Sequence, residues 1–396
     1  MYLIPFFLLY LFLQVSQSTS LTLQYILIYQ SLYLKLKVGP NENSKFCKLD
    51  QQTPFTWFNS GFLSEIDLSS YKLSTSPTSI HFYPHEHFNV DLYSMQLLLN
   101  TTKLNLQFYY VKNGSTNGLT LSYHADKTEF SLLHVLYNKN YITKRIYSIE
   151  PLSIFDGYIH FGDVPSYIIN EHNISQSKGK CNVVNNKWAC SISDVFINNT
   201  FVYNCNNKDS VMFQLREEKS YCSFEFLKFV TQSLNEQKID DNKQCEIKQK
   251  DDMSYYIECN SRDLIYGNNI TFSIGEFLFE LPLSTFFYID RSFAVSTLLY
   301  NEDKCLYVTE GKEKQCWIFG TNFILNYVSV FNYEESMIMF ICKENDCNIM
   351  KNMKYINSNI KVNEYKKYVL LICNVVLLMV NVLCLVLVKF GLKEIY

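Results

Sequence analysis

Short runs of alternating apolar and polar residues recur along the chain, and stretches with the period of an amphipathic helix are scarce. Residues 34–39, LKLKVG, alternate as a half-buried strand does and stop at Gly39 and Pro40. Residues 104–126 carry two β-rich runs around an Asn-Gly turn, which predicts a hairpin. Further strands are predicted at 155–167, 181–205, 270–282 and 316–340. The pattern predicts a mostly β protein.

Both ends of the chain are apolar. Residues 3–15 form an apolar run, and small residues follow it at Ser16, Ser18 and Ser20. This run has the length of a signal peptide and is too short to span a bilayer. We therefore expect residues 1–20 to be a signal peptide that is cleaved near its end.

The second apolar run, residues 368–388, contains no charged residue and is long enough for a transmembrane helix. The signal peptide then sets the orientation, with residues 351–367 as a stalk and residues 389–396 as a cytosolic tail. The expected product is a single-pass type I membrane protein. A glycolipid anchor is the alternative, but its signal should end in apolar residues, and KFGLKEIY does not.

Composition is consistent with a large globular ectodomain. The 396 residues are 48% hydrophobic and 16% aromatic, which is enough for one large domain or two lobes. The formal net charge of -3 gives no indication of a nucleic-acid partner.

Cysteines and sequons agree with passage through the secretory pathway to the cell surface or an endomembrane. Of 13 cysteines, Cys373 and Cys384 lie in the apolar run, so an odd number remains outside it. At least one of these has no partner within the chain. Asn-x-Ser/Thr sequons, which are typical of glycosylated lumenal domains, occur at Asn100, Asn113, Asn173, Asn198 and Asn269.

Residues 317–340, WIFGTNFILNYVSVFNYEESMIMF, are similar to the closing signature of pepsin-like aspartic proteases. That signature is a Trp-Ile-Leu-Gly turn, a strand ending Val-Phe-Asp-Tyr and a hairpin to an Ile-Gly-Phe strand. Phe319, Thr321 and Asn332 depart from it. The matching residues are Trp317, Ile318, Gly320, Phe323, Asn326, Tyr327, Val330, Phe331, Tyr333, Ile338 and Phe340.

Other segments follow the order of the same family over about residues 30–345. LKVGPNENSKFCKLD resembles the strand, turn and strand before the first catalytic Asp. The resemblance implies a mostly β, bilobal fold, with two β-barrel-like lobes and an interlobe cleft. Residues 21–170 would form the N-terminal lobe and residues 171–350 the C-terminal lobe, ahead of one C-terminal transmembrane helix.

Aspartic proteolysis needs two carboxylates that share one proton, each in an Asp-Thr-Gly loop. Asp50 matches the first catalytic position, but Gln51 and Gln52 replace the Thr and the Gly. In the family the Thr braces the two loops by hydrogen bonds, and the Gly lets the two backbones approach. The resemblance therefore implies one carboxylate, Asp50, in an altered loop.

The second loop has no Asp in its best alignment. Residues 211–222, VMFQLREEKSYC, place Gln214 at the catalytic position. A shift of two residues places Arg216 there instead. Only Asp209 could restore a carboxylate, and it would misalign the apolar residues that precede the loop.

The flap that closes over substrate in this family resembles NGSTNGLTL, with Gly114, Ser115 and Gly118 on its Gly-Ser…Gly pattern. The flap tyrosine then falls at Val111, or at Tyr110 if the hairpin shifts by one residue. The Asp-Gly-Ile-x-Gly-Leu segment expected after the flap is not recognisable, which predicts a shortened first lobe.

Three disulfides are predicted, one from the resemblance and two from hairpin-like spacing. Cys47 is expected to be a buried thiol. In the order just given, the pairs are Cys259 with Cys305, Cys181 with Cys190, and Cys342 with Cys347.

The segment HFYPHEHF contains His81, His85 and His87, and an H-x-H pair on a strand can hold a metal ion. Histidine is also common in polar loops, and no Cys or carboxylate cluster accompanies these residues. A solvated loop is the expectation, with no metal and no other cofactor.

Two functions remain open on the sequence. The first is a non-catalytic ectodomain whose cleft binds extended peptide or protein. The alternative is an active, membrane-anchored aspartic endopeptidase that cleaves peptide bonds at acidic pH. The two differ in whether a second carboxylate faces Asp50.

Overall fold

The structure is a computed structural model of the chain. Residues 1–19 and 352–396, which hold most of the predicted signal peptide and stalk and all of the predicted membrane span and tail, lie outside the described residues. The described residues are 20–28, 31–38, 43–51, 53–59, 78–82, 86–99, 102–111, 117–123, 130–153, 155–170, 178–205, 209–236, 244–309, 316–342 and 348–351.

Strands make up most of the described chain, and short helices connect them. The strands are β1 Leu21–Ile28, β2 Ser31–Val38, β3 Asn43–Asp50, β4 Trp57–Asn59, β5 Thr78–Phe82, β6 Glu86–Leu99, β7 Thr102–Val111, β8 Leu119–Thr120, β9 Ile146–Pro151, β10 Asp156–Phe161, β11 Lys178–Asn182, β12 Ala189–Ile197, β13 Thr200–Asn204, β14 Ser210–Phe213, β15 Ser220–Tyr221, β16 Cys245–Gln249, β17 Tyr255–Cys259, β18 Asn269–Ile274, β19 Phe277–Pro282, β20 Phe287–Asp290, β21 Phe293–Tyr300, β22 Ile318–Phe319, β23 Tyr327–Asn332, β24 Met337–Cys342 and β25 Asn348–Lys351. The α-helices are α1 Leu132–Asn138, α2 Ser166–Asn170, α3 Phe224–Glu236, α4 Glu302–Thr309 and α5 Thr321–Ile324, and 3-10 turns cover Arg262–Leu264 and Leu283–Phe286.

The first sheet joins strands from both halves of the chain. Its main path is β11-β24-β23-β9-β10-β1-β2-β6-β7-β4, and β3, β5 and β8 pair beside that path. The strand β9 pairs with β23 antiparallel, with Ile149 opposite Ser329. Three strands from beyond residue 170 therefore complete a sheet that begins in the predicted N-terminal lobe. The predicted lobe boundary itself stays a prediction.

The second sheet belongs to the later half of the chain. Its path is β16-β17-β21-β15-β22-β14-β12-β18-β19-β25, with β13 beside β12 and β20 beside β21. Within it β14 and β22 run parallel, with Phe213 opposite Phe319. This parallel pair matters for function because Gln214 and Arg216 follow directly after β14.

Aromatic side chains of the closing signature fill the core of the second half. The rings of Phe319 and Phe323 stack with centroids 4.2 Å apart, and Phe213 lies 5.0 Å from Phe340. All four side chains are fully buried. Burial of each such ring contributes about 1.5–3 kcal/mol, so the signature is explained by packing alone.

The predicted hairpin at residues 104–126 is wrong. The strand β7 instead pairs antiparallel with β6, from Asp91 opposite Tyr110 to Leu99 opposite Thr102, and parallel with β4. The later run forms β8, which pairs parallel with β3. The long β6 provides more ladder hydrogen bonds to β7 than a two-residue β8 could, which explains the exchange of partners.

The resemblance-based disulfide between Cys259 and Cys305 is also wrong. Cys259 lies on β17 directly opposite Cys245 on β16, and these two form a disulfide. Cys305, on α4, forms its disulfide with Cys316, 11 residues away. Cys245 and Cys259 therefore pair as register partners, and Cys305 pairs with a cysteine that is near it in the sequence.

The predicted disulfide between Cys181 and Cys190 is present. Cys342 is disulfide-bonded, and its predicted partner Cys347 lies outside the described residues. Cys47 is a free, buried thiol as predicted, and Cys205 and Cys222 are also free and buried.

Two of the predicted glycosylation sites fall on described residues. Asn198 and Asn269 are both exposed, whereas Asn100, Asn113 and Asn173 lie outside the described residues. No helix among the described residues is long and apolar enough to cross a membrane.

Candidate functional site

Asp50 is the last residue of β3, at the point where β3 runs parallel to β8. Strand alternation puts Asp50 and Lys48 on one face of β3, while Cys47 and Leu49 are fully buried on the other. The Asp50 carbonyl accepts a hydrogen bond from the backbone N–H of Leu121 at 2.6 Å. This backbone pairing fixes the position of a fully buried carboxylate.

Three donors from two residues contact the Asp50 carboxylate. The backbone N–H of Thr53 donates to Oδ1 at 3.0 Å, and the Thr53 hydroxyl donates to Oδ2 at 2.9 Å. Arg216 Nη1 lies 3.4 Å from the same Oδ2 and forms an ion pair with it. The Arg216 guanidinium also sits over the Trp57 ring, 5.2 Å from its centroid. The side chain at the predicted alternative second position is therefore a cation in contact with Asp50.

Gln51 links the Asp50 loop to the loop that carries Arg216. Its amide oxygen accepts a hydrogen bond from the backbone N–H of Leu215 at 3.1 Å. Its amide nitrogen donates to the Tyr147 hydroxyl at 2.5 Å. The sequence identified Gln51 only as a departure from the family's Thr. A glutamine carries both a donor and an acceptor on one side chain, which allows it to brace the two loops.

Gln214, the best-aligned residue for the second catalytic position, is buried and turned toward its own strand. Its backbone N–H donates to the Phe319 carbonyl at 2.9 Å. Its side-chain amide donates to the Met212 sulfur at 2.9 Å. These contacts continue the parallel pairing of β14 with β22 beyond the end of the strand.

Asp209, the remaining carboxylate considered for this role, precedes β14, whereas Gln214 follows it. Four residues of β14 lie between the two positions, which puts them about 16 Å apart at the usual rise of a strand. The Asp209 carbonyl accepts a hydrogen bond from the backbone N–H of Ile192 at 3.1 Å. Burial raises the pKa of the Cys205 thiol, and the Asp209 carboxylate raises it further. Asp209 therefore lies close to Cys205.

Lys48 and the charged side chains that act on it form a group that includes Asp50, and we call this group the Asp50 site. It consists of Asp50, Lys48, Arg216, Glu217 and Lys304. Lys304 Nζ donates to Glu217 Oε2 at 2.6 Å. Burial lowers the pKa of Lys48, and so do the Arg216 and Lys304 cations, while Glu217 and Asp50 act in the opposite direction. The other four side chains therefore lie near enough to Lys48 to act on its charge.

Two of the residues predicted for the flap lie in β7. Tyr110 and Val111 are buried in β7, where the Tyr110 ring meets the Tyr93 ring edge-on at 5.9 Å, and Gly114 lies outside the described residues. The hairpin that extends past β7 is formed by β5 and β6, from Thr78 opposite Val90 to Phe82 opposite Glu86. The polar residues in this segment prevented the hydrophobic periodicity from predicting its strands.

The second half of the predicted flap segment instead lies beside Asp50. Gly118 exchanges two backbone hydrogen bonds with Trp57, both at 3.0 Å, and the Asn117 side chain accepts one from Lys48 N–H. A Cβ on Gly118 would meet the Trp57 ring at 2.1 Å, so only glycine fits. Residues 117–121, NGLTL, match the Asp-Gly-Ile-x-Gly-Leu order at Gly118 and the apolar position after it. This glycine was the sequence signal that could have identified the segment.

The histidine segment offers no described metal site. His81 and His87 lie opposite each other in the register of β5 and β6, and His85 lies outside the described residues. Within the described ranges, no group of three or more His, Cys, Asp or Glu could hold a metal ion.

Comparisons with known proteins agree with this architecture. The family model for eukaryotic aspartyl protease matches residues 89–341, which is more than half of the chain. An aspartic proteinase from Irpex lacteus, solved by crystallography, superimposes with a TM-score of 0.62 at 10% sequence identity. That alignment covers 83% of this chain and 98% of the fungal chain, and at this identity it shows the fold alone. No curated protein matches this chain in sequence. The chain belongs to the eukaryotic aspartyl protease family.

Proposed function

We propose that this chain is an exported, single-pass type I membrane protein whose pepsin-like ectodomain binds extended peptide or protein without cleaving it. The observation that carries the proposal is the ion pair between Asp50 and Arg216, with Oδ2 and Nη1 at 3.4 Å. A cation contacts the carboxylate on which proteolysis in this family depends.

Proteolysis by this family requires a second acid that can share a proton with the first. One carboxyl must accept a proton from the attacking water while the other donates to the developing oxyanion. An arginine guanidinium remains protonated in proteins and has no acceptor, so Arg216 can perform neither role. The Gln214 amide does not titrate, and its nitrogen is bonded to Met212. Neither residue replaces the missing acid.

The same geometry is compatible with binding. Gln51 still braces the two loops through Leu215 and Tyr147, so the substitutions keep the loops together while they change the chemistry. A cleft that binds peptide without cleaving it needs the two loops in place and does not need a second acid. The apolar runs at residues 1–20 and 368–388 support an exported and anchored ectodomain, and the two exposed sequons support glycosylation.

The proposal is tested with the full-length chain in detergent micelles and an unfolded protein as substrate. Cleavage is followed from about pH 3 to about pH 7, with and without an aspartic protease inhibitor that mimics the transition state. Asp50→Ala is the matched control, since it removes the only carboxylate that the family pattern assigns. We expect the wild-type chain to release no more product than Asp50→Ala.

Cleavage that both the inhibitor and Asp50→Ala abolish would mean that the chain is an active endopeptidase. In that case another carboxylate must approach Asp50 when substrate binds. Circular dichroism of each sample establishes that an inactive protein is folded.

A further inference from the structure

Lys48 is the one member of the Asp50 site whose charged group has no ionic partner within the part of the chain that the structure describes. Arg216 is paired with Asp50, and Lys304 is paired with Glu217. The hydrogen bonds of Lys48 to Asn117 and Cys47 use its backbone N–H and carbonyl, and none of the described residues bonds its ammonium group. Three cations and two anions thus leave one formal positive charge uncompensated.

This charge lies in a costly position. The Lys48 side chain is half-buried, and it projects from the same face of β3 as Asp50, two residues away. Tyr33 lies directly opposite Lys48 on the neighbouring β2. A partly desolvated ammonium beside two other cations is destabilised unless an anion joins it, which agrees with the lowered pKa of Lys48.

We propose that the Lys48 ammonium recognises a carboxylate of the peptide that binds in the cleft, an inference that rests on the proposed binding function. The carboxylate would complete the third ion pair of the Asp50 site, beside the Asp50–Arg216 and Glu217–Lys304 pairs. Either an acidic side chain or the C-terminus of a peptide carries this group. The ligand class is therefore an extended peptide with a carboxylate near the position that Asp50 occupies in the cleft.

The test measures binding of three short peptide libraries to the full-length chain in detergent micelles, by fluorescence anisotropy near neutral pH. All three are N-acetylated. The first has a central Glu and an amidated C-terminus, the second a central Gln and an amidated C-terminus, and the third a central Gln and a free C-terminus. Comparison of the second library with each of the others distinguishes the two sources of carboxylate.

We expect a library with a carboxylate to bind about tenfold or more tightly than the neutral library, because a charged hydrogen bond at a partly buried site is involved. Lys48→Met keeps the aliphatic stem and should remove this preference, so that all three libraries bind the variant with similar affinity. Lys48→Arg should retain part of it. Lys139→Met, at an exposed lysine after α1, is the matched control and should change nothing. Thermal melting of each variant shows that it is folded.

Three results would overturn the inference, and each can be told from the others. Equal binding of all three libraries by the wild-type chain would exclude carboxylate recognition and leave the peptide-binding function standing. Failure of every library to bind would overturn both proposals. A carboxylate preference that survives Lys48→Met would assign the recognition to another residue.

Discussion

At the scale of single residues, Gln51 shows how a substituted loop can keep its architecture. The family's threonine uses one hydroxyl to brace the two loops, whereas Gln51 uses the two ends of one amide. The oxygen accepts from Leu215 N–H and the nitrogen donates to the Tyr147 hydroxyl. Both partner residues are fully buried, so no water molecule can replace the amide as their hydrogen-bond partner.

Gln51→Ala should lower the free energy of unfolding by about 2–4 kcal/mol, because it leaves two buried polar groups without their partner. Urea denaturation of the full-length chain measures this change. Gln24→Ala is the matched control, since the Gln24 amide also donates to a side chain but is exposed. The control should cost less than about 0.5 kcal/mol. Equal effects of the two variants would show that Gln51 does not brace the loops.

The Asp50–Arg216 pair supports a second prediction at this scale. Arg216→Met should lower the free energy of unfolding by about 1–3 kcal/mol, since Asp50 is fully buried and loses its cation. In an Asp50→Asn background the same change should cost little. The double-mutant cycle from urea denaturation gives the coupling energy directly. A coupling energy near zero would contradict the ion pair.

The candidate site was predictable from sequence only in part, and for identifiable reasons. Asp50 and the loop that carries Gln214 and Arg216 follow from the order of the family's segments, although the alignment favoured Gln214 over Arg216 at the second position. Lys48 was not singled out, since its single signal is its alternation with Asp50 on one strand. The brace by Gln51 depends on where the far end of a long side chain lies, and a pattern of residue types does not contain that information.

At the scale of elements, strands were easier to predict than their partners. The alternation in residues 34–39 predicted β2 because it reflects one buried face, whereas residues 270–282 predicted the β18–β19 hairpin as two β-rich runs around a tight turn. The strand β7 pairs with β6, which covers residues 86–99. No strand was predicted there, because of the polar character of residues 59–100. Strand pairing joins residues far apart in the sequence, and a period-two pattern within one strand does not indicate which other strand is its neighbour.

The disulfides give a test at the element scale. Digestion without reduction, followed by mass spectrometry, should yield peptides that join Cys245 to Cys259 and Cys305 to Cys316. The first bridge connects directly opposed residues of β16 and β17, and the second connects α4 to the segment before β22. Alkylation under native conditions should leave Cys47 unmodified until the chain is denatured, because its thiol is fully buried. A Cys259–Cys305 peptide would contradict the assigned pairing of the two strands.

At the scale of the whole molecule, buried histidines link stability to pH. Burial is the largest influence on both His134 and His160 and lowers their pKa values. The Arg145 cation lowers that of His134 further, whereas Glu150 opposes the effect at His160. The folded chain therefore binds fewer protons than the unfolded chain once the pH falls below about 6.5. The stability contributed by neutral histidines is complete above that pH and is lost as the pH falls through the folded pKa values.

The free energy of unfolding should accordingly decrease between about pH 7 and about pH 5, by up to about 1.4 kcal/mol per pH unit for each histidine. Urea denaturation at a series of pH values measures the slope. The double variant His134→Gln and His160→Gln should show a shallower slope than the wild-type chain. Stability that stays constant or rises on acidification would contradict the burial of neutral imidazoles.

The shared first sheet has a consequence for how the chain emerges from the ribosome. Ile149 of β9 cannot pair with Ser329 until β23 has been synthesised, and β23 is translated far later than β9. Synthesis of the intervening residues takes roughly ten to forty seconds at ordinary rates. During that time β9 presents an unpaired strand edge, of the kind that other chains can join. Nascent chains of this protein should therefore require a holding chaperone until β23 and β24 have been made.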